Sequence, residues 1–191
     1  APYGKWESPI TPQSLVEGAI LLKQLEVDGD DLYWLEGRPE EKGRSVFVAA
    51  SNNKDLFQAP YYARTTVFEY GGKCGAIHDG TLYFTNFEGQ HLYRVQEGKE
   101  PEGVITKDGL RFSDFVISQD GSALYSILED HNCEGECRND IVRIDLTTFE
   151  MTTVAQGYDF YAFPRISPDG NKLAYIAWNH PNMMWDETVL F

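Results

Sequence analysis

Positive charge is the first thing this chain lacks. Its 191 residues carry 16 Lys and Arg against 30 Asp and Glu, a formal net charge of −14. Such a surface repels phosphate backbones and anionic headgroups, which argues against nucleic acid and membrane as partners. Cysteine is scarce too. Cys74, Cys133 and Cys137 form an odd, sparse set that builds no disulfide scaffold and suits a reducing compartment, so the cytoplasm is the expected location. No apolar run approaches the roughly 20 residues of a membrane helix. The opening Ala1-Pro2-Tyr3-Gly4-Lys5-Trp6 has no basic stretch followed by an apolar one, so no signal peptide is expected. The nucleophile pattern G-x-S-x-G is missing as well: Ser113, Ser118 and Ser167 lack its glycine frame, so no catalytic residue is assigned.

What is present points to sheet. Aromatic residues make up 14% of the chain, mostly Tyr and Phe, and these suit pleated, half-buried surfaces. Asp28-Gly29, Asp79-Gly80, Asp120-Gly121 and Asp169-Gly170 each separate two strand-like runs, which is a hairpin signal because Gly accepts the positive φ of a tight turn. The runs after them are alike: Leu32-Tyr33-Trp34, Leu82-Tyr83-Phe84, Leu124-Tyr125-Ser126 and Leu173-Ala174-Tyr175. Successive turns are 51, 41 and 49 residues apart. Four short strands per ~40–50 residues is the period of a propeller blade, whereas a β-sandwich would show turns without the longer repeat.

The expected fold is therefore all-β, a partial β-propeller of about three and a half to four four-stranded antiparallel blades. Blade 1 spans about residues 15–60, blade 2 about 67–107, blade 3 about 112–156 and an incomplete blade 4 residues 160–191. Third strands are expected at Ser45–Ala50, His91–Gln96, Asp140–Leu146 and Glu187–Phe191, and weaker fourth strands at Gly103–Thr106 and Phe149–Ala155. Ser8–Leu25 has room for a short helical turn. A ring broken inside a blade reads as a fragment, and its unpaired edges favour dimerisation through the edge.

Alternating strands put the Asp-Gly turns on one face. The second-to-third loops and the inter-blade links must then lie on the other, where Arg64–Gly72, Glu129–Asp140, Tyr158–Arg165 and Trp178–Asp186 gather. These loops carry a resemblance that runs in order along the whole chain. Glu69-Tyr70-Gly71-Gly72, Asp159-Phe160-Tyr161-Ala162-Phe163-Pro164-Arg165, Ile166-Ser167-Pro168-Asp169-Gly170 and His180-Pro181-Asn182-Met183-Met184-Trp185-Asp186 resemble the N-terminal propeller of the prolyl oligopeptidase family, in its acylaminoacyl-peptidase and dipeptidyl-aminopeptidase-like branch. Lys73-Cys74 and Met184 depart from that branch's usual residues. The resemblance implies a non-catalytic propeller that gates short peptides for a serine peptidase. The triad would lie in a C-terminal α/β-hydrolase domain, the implied partner beside the peptide substrate, and no cofactor is implied. The alternative is a stand-alone propeller scaffold that binds a protein or small ligand; a metal-dependent lactonase-like propeller would need a carboxylate and Asn cluster that the sequence does not assemble.

On the loop-bearing face, the Glu69 carboxylate suits the free amine of a peptide, against a structural role accepting backbone N–H groups. Arg165 suits a substrate carboxylate or carbonyl, against an inter-blade salt bridge with Asp159. Tyr70 and Tyr161 are candidate substrate contacts, with blade packing the alternative for Tyr161 and Phe163. His180, Asn182, Trp185 and Asp186 are read as residues that fix the loop. His131, Cys133 and Cys137 are a weak zinc candidate, since the usual second Cys/His pair is absent; two free thiols on a loop, or a disulfide between them, are the alternatives.

Overall fold

The computed structural model describes residues 1–15 and 17–191. The first sheet contains β1 (Leu21–Asp28), β2 (Asp31–Arg38), β3 (Arg44–Ala49) and β4 (Lys54–Asp55), with a 3-10 turn at Pro39–Glu41. The second contains β5 (Gly75–His78), β6 (Thr81–Thr85), β7 (Leu92–Gln96) and β8 (Glu102–Ile105). The third contains β9 (Leu110–Ile117), β10 (Ala123–Asp130), β11 (Arg138–Asp145) and β12 (Met151–Ala155), and the fourth β13 (Phe160–Ile166), β14 (Leu173–Trp178) and β15 (Val189–Leu190). Within every sheet each strand pairs antiparallel with its sequence neighbour. The first strands β1, β5, β9 and β13 lie side by side in that order, as the inner strands of four successive propeller blades.

The sheets are held by what lies between them. Leu35, Val46, Phe47, Phe57, Leu82 and Phe84 fill the space between the first and second sheets. Phe112, Phe115, Leu124, Leu128, Val142 and Ile144 join the second and third, and Val67, Ile127, Ile141, Tyr161 and Ala177 the third and fourth. Burying each large side chain of this kind stabilises by about 1.5–3 kcal/mol relative to exposure. β3 is buried at all six positions, as expected of a strand covered on both faces. Leu22, Leu25 and Val27 on β1 remain exposed.

The Asp-Gly turns prove to be of two kinds. Gly29-Asp30 and Asp79-Gly80 are two-residue hairpin loops, and Asp79 and Gly80 both take positive φ, 46° and 66°. Asp120-Gly121 and Asp169-Gly170 sit in wider loops closed by side chains. The Ser118 hydroxyl donates to Asp120 at 2.6 Å and accepts from the Ala123 amide at 2.9 Å, and Ser167 repeats both bonds with Asp169 and Lys172.

Strand ends differ from expectation by one or two residues. Lys54–Asp55 is an additional short strand, carrying no apolar alternation to announce it. At the start of the chain, Leu15 N–H bonds Thr11 O and Glu17 N–H bonds Gln13 O, but no helix forms among the described residues of 8–25, and β1 begins at Leu21. Residue 16, within that expected turn, lies outside the described residues.

Candidate functional site

Three inner strands carry a one-residue bulge, between Leu22 and Leu25 in β1, between Ser113 and Val116 in β9, and between Ala162 and Arg165 in β13. The bulge in β9 holds Asp114 at φ 54° and turns its side chain across the blades. Asp114 Oδ1 accepts from Lys73 N and Oδ2 from Phe163 N, both at 3.1 Å, while Asp114 N–H donates to Lys73 O at 2.8 Å. One carboxylate thus ties the second, third and fourth sheets. Gly72 passes so close that a Cβ there would stand 2.9 Å from Asp114 Oδ1.

A second buried carboxylate, Glu129 at the end of β10, is 2% exposed and anchors the loop ahead of β5. Its Oε2 accepts the Phe68 amide hydrogen at 2.7 Å; Oε1 meets His131 Nε2 at 2.6 Å and Arg111 Nη1 at 3.2 Å. Arg111 Nη1 also donates to Thr66 O at 3.0 Å and to Glu69 at 2.9 Å. Phe68 and Glu69 both adopt left-handed backbone, φ 54° and 67°, an arrangement that costs energy for side chains of this kind and persists because Glu129 and Arg111 hold it.

This loop forms one wall of a 340 Å³ cleft on the face opposite the Asp-Gly turns. Phe68, Phe160 and Trp178 make its aromatic side, with Phe160 stacked on Trp178 at 5.4 Å and meeting Phe68 edge-on at 5.3 Å. Glu69, Glu129, His131, Cys137 and Asn139 give its polar side, and 180–184 its rim. Glu69 is 83% exposed although Arg111 holds one of its oxygens, so its carboxylate remains open to a ligand. Partial burial, followed by the charges of Asp114 and Glu129, pushes the Tyr70 phenol up.

Of the residues singled out in sequence, Glu69, Tyr70, His131, Cys137, His180 and Asn182 line this cleft. His180 Nδ1 lies 3.0 Å from Asp159 Oδ2, whose carboxyl is held low first by the His180 backbone N–H. Asn182 Nδ2 reaches Glu187 at 3.2 Å, and Asp186 accepts the Met183 amide hydrogen at 2.9 Å. Trp185 is 74% exposed and is not among the residues lining the cleft. Tyr161 lies elsewhere: it is 1% exposed within the core, its hydroxyl accepting from Tyr158 N at 3.0 Å. Arg165 forms no pair with Asp159; Nη1 donates to the neighbouring Pro164 carbonyl, and Asp159 turns to His180. His131 and Cys137 come together with Glu129, while Cys133 stays outside that group; all three cysteines are free thiols.

Sequence reasoning passed over Glu129, Arg111 and Asp114. Arg111 and Asp114 share β9, whose run Leu110-Arg111-Phe112-Ser113-Asp114-Phe115 mixes polar and apolar residues, and Glu129 stands beside Asp130 at the end of β10, so nothing local set any of the three apart. Beside the cleft a wider 930 Å³ depression separates the third and fourth sheets. There Asp140, 1% exposed, has Arg138 Nε 3.0 Å from Oδ2 as an ion pair and, among the described residues, no hydrogen bond on either oxygen. Burial pushes its carboxyl up.

No protein-family model and no curated protein matches this chain. Solved structures do. A puromycin-hydrolysing peptidase of Mycobacterium tuberculosis is 35% identical and superposes with a TM-score of 0.87 over 100% of this chain and 32% of that one. A puromycin hydrolase is 28% identical with a TM-score of 0.81 over the same shares. TolB of Acinetobacter baumannii, 13% identical with a TM-score of 0.61 over 90% of this chain and 40% of that one, shares the fold alone. The chain spans about a third of the length of the two peptidases. Four antiparallel sheets with adjoining inner strands and a loop-bearing cleft face define a β-propeller portion. Its particular kind follows from the two peptidases: the chain is the counterpart of the N-terminal propeller of the prolyl oligopeptidase family, as the loop motifs implied.

Proposed function

We propose that this chain is the non-catalytic, substrate-gating propeller portion of a serine peptidase acting on short peptides. The observation that carries the reading is the exposed carboxylate of Glu69 at the mouth of a cleft lined by Phe68, Phe160 and Trp178. A peptide amine meets Glu69, while an apolar first side chain meets the aromatic wall. Arg111 fixes Glu69 in place, so little orientational freedom is lost on binding. A carboxylate at this position favours a free N-terminus over an acylated one, and thus the dipeptidyl-aminopeptidase-like branch over the acylaminoacyl branch. The partner in this reading is a C-terminal α/β-hydrolase domain that supplies the nucleophile. Likeness to puromycin-hydrolysing peptidases supports the hydrolytic assignment. The free thiols suit a cytoplasmic setting. Among the described residues no helix is long and apolar enough to cross a membrane.

The test is calorimetric titration of the chain with Phe-Ala-Ala and with its N-acetylated form. The free peptide is expected to bind at least about tenfold tighter, and Glu69→Gln to remove that preference, as loss of a charge-assisted hydrogen bond of about 1.5–3 kcal/mol predicts. Equal affinity for both peptides, or an unchanged preference in the variant, overturns the assignment of Glu69.

A further inference from the structure

We infer that Glu129, His131 and Cys137 form a binding site for a thiophilic transition-metal ion, Zn²⁺ by chemical class, at the base of the cleft. The Glu129 carboxylate oxygen, the His131 ring nitrogen and the Cys137 sulfur lie within 4.8 Å of one another. Thiolate, imidazole and carboxylate together are a donor set that suits Zn²⁺ rather than Mg²⁺ or Ca²⁺. The elements fix two of the three donors: Glu129 lies within β10, and Cys137 directly precedes β11 where that strand pairs back onto β10. Between them the loop 131–137 carries His131, whose side chain is 34% exposed and free to adjust.

Zinc bonds of about 2.0–2.3 Å place tetrahedral ligands about 3.4 Å apart. The present 2.6 Å contact of His131 Nε2 with Glu129 Oε1 therefore opens slightly to admit the ion. Arg111 competes for the same oxygen at 3.2 Å, but it has two other partners, Thr66 O and Glu69. It can yield Oε1 without becoming an unpaired cation. Glu129 Oε2 keeps the Phe68 amide hydrogen throughout, so the loop stays anchored. As the metal–sulfur bond forms, the Cys137 thiol proton passes to solvent, and the His131 ring nitrogen binds through its lone pair.

An independent observation points to the same place. Asn139 is 5% exposed, lines the cleft with Cys137 and His131, and holds its Oδ1 buried with no hydrogen-bond partner among the described residues. A buried polar atom of that kind is rare and calls for a donor or an ion. Asn139 is also the residue that pairs with Glu129 across β10 and β11.

The test is equilibrium titration of the reduced chain with ZnCl₂, and with CoCl₂ followed by absorption. One Zn²⁺ per chain and a near-ultraviolet cobalt–thiolate band are expected. Losing even an outer-shell partner weakens metal sites 10–100-fold, so Cys137→Ser should weaken binding by about a hundredfold or more, whereas Cys133→Ser should leave it within about twofold. If Cys137→Ser does not fold, as judged by its circular dichroism, His131→Gln at a partly exposed position carries the same expectation. Binding absent in the native chain, retained in both the Cys137 and His131 variants, or lost equally with Cys133→Ser overturns the site. Because no peptide enters the measurement, it stands or falls separately from the role of Glu69.

Discussion

Asp114 Oδ2 accepts the amide hydrogen of Phe163 at 3.1 Å, and both residues occupy bulges at positive φ, 54° and 56°, in neighbouring inner strands. The extra residue in each strand frees an amide in β13 and aims a carboxylate from β9 at it. Asp114→Ala leaves the Lys73 and Phe163 amides without this acceptor, which costs about 1–3 kcal/mol for each group that stays buried. Asp114→Asn keeps one acceptor oxygen and is expected to lose less. Urea unfolding of the two variants checks the order, and a more stable alanine variant would contradict it.

The loop strain at Phe68 and Glu69 depends on Glu129. Glu129→Ala removes the acceptor of the Phe68 amide and leaves Arg111 with one buried partner fewer. Stability is expected to fall by about 2–3 kcal/mol. Hydrogen exchange of the Phe68 amide should accelerate more than that of Phe84 in the core, which reports local opening rather than general weakening.

The two wide turns predict a titration. The Ser118 hydroxyl, the Ser122 amide and the Ser122 hydroxyl hold the Asp120 carboxyl down at about 2. A depressed carboxyl stabilises the fold above its unfolded pKa of 3.8 and loses that contribution as pH falls towards 2. Carbon-detected NMR should place the Asp120 midpoint near 2, and Ser118→Ala should move it upward towards 3.8. A midpoint at 3.8 in the native chain contradicts the turn geometry.

Tyr161 separates packing from recognition. Tyr161→Ala empties a fully buried aromatic site and should cost about 3–5 kcal/mol. Tyr161→Phe loses only the bond from Tyr158 N, about 0.5–1.5 kcal/mol, and leaves peptide affinity unchanged because the hydroxyl faces the core. A large change in affinity with unchanged stability would return Tyr161 to the binding surface.

The blades were legible because their signals are local. Asp-Gly turns, the Leu-Tyr alternation after them and their spacing need no knowledge of distant residues, and the Asp79-Gly80 hairpin follows from glycine's freedom at positive φ alone. The loop-bearing face followed from strand alternation, which placed Glu69, Tyr70, His180 and Asn182 on one side before any coordinates. Which oxygens meet which donors was not local. Glu129 and Phe68 are 61 residues apart, Asp114 and Phe163 49, and Arg111 and Glu69 42. Those contacts exist because stacking of the sheets brings inner strands and link loops together, and bulges redirect single side chains across the gap. Sequence thus determined the repeat, the hairpins and the face; tertiary structure alone decided that Glu129 gathers His131, Cys137 and Arg111, and that Tyr161 turns inward, since burial and hydrogen-bond pairing are settled only when distant strands pack.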